Sequence, residues 1–237
     1  MSISSKNSGY SNPLFLLIDR IDQQIYINSE RGFIIVQVLK DEIKELILKT
    51  AEQTFLEQGY EKASMKEISK QVQVSTGNLY RYFANKEALF DAVTLPAYQS
   101  LQYLIEAHDQ NDDLSIPLGI GIVDQLAALL SELLVDNREG LLILIYGSEG
   151  TSRAGAKEEL CQMFAAHIET HLITDHTSNQ GSRAERSIFT SQIAKPIAVA
   201  FLEGYFEIIR LYTDRSQIHE ATRQYITLWF MGLQSLA

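Results

Sequence analysis

The chain has 237 residues, of which 46% are hydrophobic and 21% charged, and its formal net charge is −10. This composition is that of an ordinary globular protein and excludes disorder over most of the length. Cys161 is the only cysteine, so neither an intrachain disulfide nor a Cys-x-x-Cys metal site can form.

Apolar segments are too short for a membrane protein. The longest uninterrupted runs, such as residues 141–146, fall far below the ~20 residues that a membrane span requires. Residues 14–18 are apolar, but this run is too short for a signal peptide and lacks a clear cleavage pattern. We therefore predict a cytoplasmic protein.

The first predicted elements are two β-prone runs. Residues 23–27 and 33–38 are rich in β-branched and aromatic side chains, and the polar residues 28–32 between them can form a hairpin loop. An isolated hairpin is only marginally stable in water.

A helix is predicted from about Lys40 to Gln58. Its inward seam repeats every four residues and consists of Ile43, Ile47, Ala51 and Phe55. Gly59 followed by Tyr60 is a helix stop with a hydrophobic contact after it.

A second, shorter helix is predicted to begin after Ser64. Ser64 and Glu67 form a capping box, in which each side chain bonds a free backbone N–H at the start of the helix. The buried stripe consists of Met65, Ile68 and Val72, which leaves Lys66 and Lys70 outside.

A third helix follows a tight turn and can be capped by Ser75. Leu79 and Phe83 lie four residues apart and face inward. The outer residues are Thr76, Gly77, Asn78, Tyr80 and Arg81, with Tyr82 at the margin. Such a face suits a DNA major groove, because hydroxyls and amides bond phosphates and base edges while glycine permits close approach. This pair of short helices therefore predicts a DNA-binding helix-turn-helix.

The negative net charge does not contradict DNA binding, because the charge is unevenly distributed. Residues 62–86 contain five basic residues and one acidic residue, whereas residues 92–237 contain nine basic and eighteen acidic residues. The positive charge therefore lies on the predicted helix-turn-helix, and an acidic body limits non-specific binding to DNA.

Between residues 43 and 90 the chain resembles the TetR family of bacterial transcriptional repressors. The most specific part is the string Leu-Tyr-x-Tyr-Phe-x-x-Lys-Glu-x-Leu at residues 79–89, and the matches also include segments 47–60, 64–65 and 75–78. The chain departs from the family at Gln73, where members often place glycine. Glycine suits this turn because a residue with a side chain tolerates a left-handed backbone less well. We therefore expect a slightly different turn.

The resemblance implies a three-helix DNA-binding head, with the helix from Asn85 onward joining it to a larger all-α domain that binds an effector and dimerises. In the family, the position of Lys66 contacts bases, and the recognition helix reads bases or holds phosphate. The DNA-binding residues that we expect are Lys66, Ser75, Thr76, Gly77, Asn78, Tyr80, Arg81, Tyr82 and Lys86.

Three parts are expected along the chain. Residues 39–95 form the helix-turn-helix DNA-binding domain, and residues 96–237 form the all-α effector-binding and dimerisation domain. Residues 1–38 lie outside the resemblance and are a flexible arm that touches DNA, a small strand pair, or a segment upstream of the true start. Their charge, three basic against three acidic residues, argues against an arm that follows DNA.

Beyond Pro96 the pattern stays helical, with no strand pattern or repeat. Helices are predicted near residues 97–110, 116–135, 138–149, 155–175, 186–213 and 217–236, with breaks at 110–113, 136–137, 147–155 and 176–182. Pro196 lies inside one of these helices and predicts a kink or a restart there.

The last two predicted helices carry more large apolar surface than one helix pair can bury. We expect two copies of the pair to pack across a twofold axis as a four-helix bundle, as the resemblance also implies. The residues expected at this interface are Phe201, Ile208, Tyr212, Tyr225, Trp229 and Leu233. The alternative is that both are core helices of a monomer.

The resemblance places a mostly apolar effector pocket among the middle helices. Amphipathic candidates for its lining are Tyr103, Tyr146, Phe164, His167 and Tyr205, although core packing accounts for each of them equally well. The acidic body favours a cationic or hydrophobic compound over an anionic one.

No group of residues in the sequence supports a catalytic site. His167, His171 and His176 have a spacing that can hold zinc, but their order around Glu169 is not that of a metalloprotease. Residues 147–151 lack the strand and the Gly-x-Ser-x-Gly order of a nucleophile turn. We expect no enzymatic activity, metal or cofactor.

The sequence thus predicts a DNA-binding transcriptional regulator, a ligand-responsive repressor that binds a pseudo-palindromic operator as a homodimer. Ligand binding would favour a different separation of the two heads and weaken DNA binding by linkage along the helix from Asn85. The alternatives are an activator and a helical protein-interaction module without enzymatic activity.

Overall fold

A computed structural model describes residues 30–110, 120–170 and 191–234 of this chain. The helices are α1 (Glu30–Lys62), α2 (Met65–Val72), α3 (Thr76–Tyr82), α4 (Lys86–Gln110), α5 (Ile120–Asp136), α6 (Arg138–Tyr146), α7 (Ala156–Ile168), α8 (Ser191–Leu211) and α9 (Arg215–Gln234). These three ranges contain no strand, which confirms the all-α fold class. No helix within them combines the length and apolar character that crossing a membrane requires.

Helix α1 begins at Glu30, ten residues before the predicted start. The strand predicted over residues 33–38 is therefore wrong, while the strand predicted over residues 23–27 lies outside the described residues. β-Branched residues disfavour a helix only weakly, and adding a residue to an existing helix requires no new nucleation. The amphipathic segment that follows can therefore extend its helix backwards through a β-prone run.

The regular part of α1 ends at Gly59, as its sequence predicts. Gly59 has φ 72° and ψ 169°, a backbone conformation that side chains rarely adopt. The next amide, that of Tyr60, donates a 2.9 Å hydrogen bond to the carbonyl oxygen of Gly147. This bond connects the end of α1 to the loop that follows α6.

A left-handed turn at Gln73 joins α2 to α3. Gln73 has φ 63° and ψ 32°, so the left-handed conformation is present although the residue is not glycine. Its amide donates to the carbonyl oxygens of Lys70 and Ser69, and the Val74 amide donates to Ser69 over 3.0 Å. This is a Schellman-type helix end, which satisfies carbonyls that the helix itself leaves free.

Pro96 and Pro196 each lie within a continuous helix. Pro96 is inside α4, so the helix that starts at Lys86 runs through the predicted domain boundary. Pro196 is inside α8, which runs from Ser191 to Leu211, so the helix does not restart at this residue, while the alternative of a kink stays a prediction. Pro196 lies in the second turn of α8, where the loss of one N–H removes only a bond to the helix start.

The other helix boundaries largely follow the sequence. The predicted breaks at residues 136–137 and 147–155 are confirmed, since α6 begins after the first and α7 after the second. The predicted breaks at 111–113 and 176–182 lie outside the described residues.

The described residues form two compact units. The first consists of residues 30–51 and 64–89, and the second of residues 52–63 and 90–234 with the gaps stated above. These units differ from the division at residue 95, because residues 52–63 belong to the second unit. The functional division into residues 39–95 and 96–237 stays a prediction.

The core of the first unit is the predicted one. Its fully buried side chains include Ile47, Ala51, Ile68 and Leu79, each at 0% exposure. They come from α1, α2 and α3, so the inward stripes of the three helices supply the core of the first unit.

The second unit is built around α5, α8 and α9. Leu134, Phe206 and Ile209 are fully buried within it. Tyr205 is also buried, and its hydroxyl donates a 2.7 Å hydrogen bond to the carbonyl oxygen of Leu130. Burial raises the pKa of Tyr205 well above its ordinary value, which keeps this hydroxyl protonated and able to donate.

Helix α9 packs closely on α8 at Gly204. The hydroxyl of Tyr225 donates to the carbonyl oxygens of Phe201, at 2.8 Å, and Ala200, at 3.1 Å. A Cβ atom at position 204 would lie 2.8 Å from the Cε2 and Cζ atoms of Tyr225. Only glycine leaves room for the tyrosine ring at this crossing.

We expect Gly204→Ala to lower the free energy of unfolding by about 1–3 kcal/mol, because the added methyl group must displace the Tyr225 ring and its hydrogen bonds. Thermal or urea unfolding measures this change. Gly232→Ala is the control, since Gly232 is exposed in α9 with nothing within 4 Å of an added Cβ. Equal stability of the two variants would contradict the close packing at Gly204.

We expect Gln73→Gly to raise the free energy of unfolding by about 0.5–1 kcal/mol. The left-handed backbone costs a side-chain-bearing residue about 1–2 kcal/mol, and the greater flexibility of glycine in the unfolded chain offsets part of the gain. Gln73→Ala retains the Cβ atom and should show no such gain. Urea unfolding of both variants decides, and a glycine variant no more stable than the alanine variant would refute the strain at Gln73.

Candidate nucleic-acid interface

The outer face of α3 is polar and open to solvent. Tyr80 is 47% exposed, Gly77 and Arg81 are exposed, and Thr76 and Asn78 are half-buried. On the opposite face, Leu79 and Phe83 are buried, as predicted. The helix therefore presents the expected polar residues, with Tyr82 half-buried at the margin.

Side-chain caps hold the start of α3 and of α4. The Asn78 amide donates to Ser75 Oγ over 3.1 Å, which confirms the predicted cap. The Ala88 amide donates to Asn85 Oδ1 over 2.7 Å, so Asn85 caps α4 and places Lys86 in its first turn. Ser64 caps α2 in the same way, accepting from the Glu67 amide over 3.1 Å.

The basic residues of α2 lie outside the core. Lys66 and Lys70 are both exposed, while Met65, Ile68 and Val72 are buried, so the predicted stripe is confirmed. Two cations on this helix stand in the same compact unit as Arg81 and Lys86. The unit therefore combines a helix with a polar outer face, of a size that the DNA major groove admits, with the positive charge that phosphate binding requires.

Ser69 joins α2 to the first residue of α3 and was not among the predicted site residues. Its side chain is 3% exposed; its hydroxyl donates to the Lys66 carbonyl oxygen over 2.9 Å and lies 3.0 Å from Thr76 Oγ1. The available signal was a serine beside Ile68 on the buried side of a short helix, where a hydroxyl needs a partner.

No contact with the described residues requires glycine at position 77. A Cβ atom built at this position would meet nothing within 4 Å, and its backbone φ is not in the left-handed region. Glycine inside a helix is less stable than alanine by up to about 1 kcal/mol. Close approach of a partner to this helix would explain the missing side chain.

The five predicted effector-binding residues differ in their surroundings, and their role stays a prediction. Phe164 and His167 stack with ring centroids 6.0 Å apart, whereas Tyr103 is 74% exposed on α4. The Tyr205 hydroxyl is buried and donates its hydrogen bond to the Leu130 carbonyl oxygen. Tyr146 is 48% exposed and lies under the Lys157 ammonium group, 5.5 Å from its ring centroid.

An aromatic cluster of the second unit is centred on Phe201. Its ring centroid lies 4.9 Å from that of Phe164, 5.6 Å from Tyr225, 5.7 Å from Trp229 and 5.9 Å from Tyr205. The cluster joins α7, α8 and α9. Sequence spacing could pair residues within one helix, but it could not show that Phe164 reaches Phe201.

An open groove of about 720 Å³ lies between α5 and α9 and contains none of the predicted effector-binding residues. Within it, Ser131 Oγ lies 2.6 Å from His219 Nδ1, and the other ring nitrogen lies 3.1 Å from a carboxylate oxygen of Glu132. Arg215 pairs with the same carboxylate. These polar groups of the groove are thus bonded to each other.

The predicted dimer residues differ in their exposure. Ile208 is 7% exposed and packs in the core of its own chain, so it cannot supply contact surface without rearrangement. Tyr225 bonds to α8 of its own chain. Phe201 and Trp229 are half-buried in the aromatic cluster, and Tyr212 is 36% exposed.

Other apolar side chains on these helices are more exposed than the predicted residues whose side chains the structure describes. They are Ile193 at 38%, Leu211 at 62%, Leu228 at 70% and Met231 at 64%. The side chain of Leu233 lies outside the described part of the chain, as do His171 and His176. The predicted interface residues stay a prediction, and these four side chains are further candidates on the same two helices.

Comparison with known proteins places the helix-turn-helix in a family. A model described as bacterial regulatory proteins of the tetR family matches residues 47–93. The HTH-type transcriptional regulator UidR of Escherichia coli K12 is 47% identical over 49 residues, which are 21% of this chain and 25% of UidR. The chain therefore spans about a quarter of the length of this curated relative.

Solved structures extend the similarity to the helical body. A TerR/AcrR-family regulator from Aquifex aeolicus superposes with a TM-score of 0.52 at 19% identity, covering 79% of this chain and 99% of that one. The TetR-family regulator PfmR of Thermus thermophilus gives 0.53 at 17% identity, covering 78% and 97%. At these identities the likeness concerns the fold alone.

The matched segment contains α2, the Gln73 turn and α3, and the remaining helices share the fold of solved family members. The chain therefore contains, at residues 47–93, a segment of the tetR family of bacterial regulatory proteins, and its body is similar in fold to solved regulators of that family.

Proposed function

We propose that this protein is a transcriptional repressor that binds an operator through the outer face of α3. The observation that carries the proposal is the composition of that face. Tyr80, Arg81 and Gly77 are exposed on a helix whose opposite side is fully buried. Hydroxyl, guanidinium and bare backbone are the groups that bond phosphates and base edges.

Affinity and sequence selectivity arise from different residues in this proposal. Lys66, Arg81 and Lys86 supply positive charge, and neutralising phosphates releases the counterions of the DNA. Thr76 and Asn78 stand at the start of α3, the part of a recognition helix that contacts base edges. Tyr80 and Tyr82 add hydroxyls for the phosphate backbone.

The protein acts as a homodimer in this proposal, because one seven-residue recognition helix reads too few bases for an operator. Two copies held by α8 and α9 would read half-sites about 34–36 Å apart. Support comes from the exposed apolar side chains Leu211, Leu228 and Met231 on these helices, and from Tyr212 directly after α8. Packing two such surfaces against each other removes apolar area from water.

An effector binds within the second unit and relieves repression in this proposal. Phe164 and His167 are half-buried side chains at the edge of the Phe201 cluster, so they offer stacking surface without being fully enclosed. A ligand that reorders these rings must favour one arrangement of the helices over another, or no release from DNA follows. Helix α4 is continuous from Lys86 to Gln110, so its backbone provides the path for the proposed coupling.

Lys86→Gln tests the proposed interface. We expect weaker binding to a duplex from upstream of the protein's own gene, and a slope of log affinity against log salt that is smaller by about 1, because one phosphate contact is lost. Fluorescence anisotropy across a salt series measures both quantities.

Lys195→Gln is the matched control for this experiment. It removes the same charge from an exposed lysine of α8, which pairs with Glu158 at 2.6 Å. Its salt slope should equal that of the unmodified protein. If both variants keep the full slope, or if no duplex is retained at low salt, the chain is a helical interaction module and the proposal fails.

Gly77→Ala separates folding from binding. We expect the free energy of unfolding to stay equal or rise by up to about 1 kcal/mol, because alanine favours the helix and meets no neighbour. Operator affinity should fall about tenfold or more, because the methyl group occupies space that DNA would use.

The control for Gly77→Ala is Gly155→Ala, which adds a methyl group at a position with φ −88° and only a 3.8 Å contact. Its operator affinity should not change. Unchanged affinity in the Gly77 variant, measured in the same titration, would show that DNA does not approach this part of α3.

A further inference from the structure

We infer that Ser69 fixes the Thr76 hydroxyl as a hydrogen-bond acceptor on the DNA-facing side, so that Thr76 selects a base bearing an amino group. This inference rests on the proposed function and names the chemistry that one residue of the interface reads. Ser69 itself is a positioning residue, since it acts through Thr76.

The geometry places two hydroxyls and one carbonyl in a chain. Ser69 Oγ lies 2.9 Å from the Lys66 carbonyl oxygen and 3.0 Å from Thr76 Oγ1. Ser69 is 3% exposed, so water does not compete freely for its hydroxyl, whereas Thr76 is half-buried and retains an outer side.

The number of protons decides the direction of each bond. A carbonyl oxygen can only accept, so the contact with Lys66 requires the single proton of Ser69. Ser69 then has only lone pairs left for Thr76, and Thr76 must donate its own proton inward. The opposite assignment would leave two unprotonated oxygens facing each other at 2.9 Å.

Thr76 consequently faces outward with lone pairs alone. Phosphate oxygens are acceptors, so Thr76 cannot bond them in this state. In the major groove the hydrogen-bond donors are the N6 amino group of adenine and the N4 amino group of cytosine. The keto oxygens of guanine and thymine are acceptors, and they would face the threonine oxygen without a proton between them.

The neighbouring residues leave this approach open. Gly77 follows Thr76 and carries no side chain, with open space where its Cβ would stand. Ser75, the preceding residue, is already committed to the Asn78 amide as a cap. Of these three residues at the start of α3, Thr76 is therefore the one with a fixed and unused hydrogen-bonding capacity.

The test begins with selection of duplexes from a random library by the full-length protein. Thr76→Val, which retains the shape but removes the oxygen, identifies the operator position that Thr76 reads. We expect adenine or cytosine at that position. Replacing it by the analogue without the amino group, purine or pyrimidin-2-one, should lower affinity about threefold to tenfold, as for one lost hydrogen bond.

Ser69→Ala frees the proton of Thr76 and allows its hydroxyl to turn. We expect the preference at the same position to fall about threefold to tenfold, with guanine or thymine gaining most, while the salt slope stays unchanged. Ser100→Ala is the matched control, since Ser100 Oγ donates to the Pro96 carbonyl at 2.9 Å within α4 and should leave all preferences intact. Circular dichroism checks that each variant is folded.

The outcomes separate the inference from the proposed function. A purely structural role of Ser69 would lower stability or affinity for all duplexes alike and leave base preferences unchanged, which would overturn the inference alone. A keto base at the Thr76 position, or no position sensitive to Thr76→Val, would also overturn it. If no sequence is enriched at all, the proposed function fails and the inference fails with it.

Discussion

The fixed geometry between α2 and α3 is the constraint on which the interface depends. A left-handed residue at Gln73 closes α2, and the backbone bonds from Gln73 and Val74 to Ser69 hold the turn. Such a backbone costs about 1–2 kcal/mol at a residue with a side chain, and burial of Leu79 on one side of the turn and Ile68 on the other offsets this cost. The inner face of α3 packs to hold this geometry, which leaves its polar outer face exposed to solvent.

Local signals in the sequence predicted the head well. The capping-box spacing of Ser64 and Glu67 and the position of Ser75 before a short helix predict two caps, and both hydroxyls accept the expected amide. The start of α1 was missed for the complementary reason. Propensity describes a residue by itself, whereas a helix already formed downstream extends through β-prone residues at little cost.

The body of the protein was less predictable, because its contacts join residues far apart in the sequence. Tyr205 was a candidate ligand residue and Tyr225 a candidate dimer residue, yet the hydroxyl of each bonds a backbone carbonyl of another helix in the same chain. An amphipathic side chain suits a core, a pocket or an interface equally well. Only the packing of α8 and α9 distinguishes these uses, and the spacing of apolar residues along either helix does not reveal that packing.

The break at Gly59 has a consequence for hydrogen exchange at the next amide, that of Tyr60. Its proton is held by the Gly147 carbonyl, and the Cα of Gly59 would lie 3.6 Å from a Cβ at position 147. A backbone proton in such a contact exchanges with deuterium only when the contact opens. Exchange of this one amide therefore records, without a mutation, how often the end of α1 leaves the loop after α6.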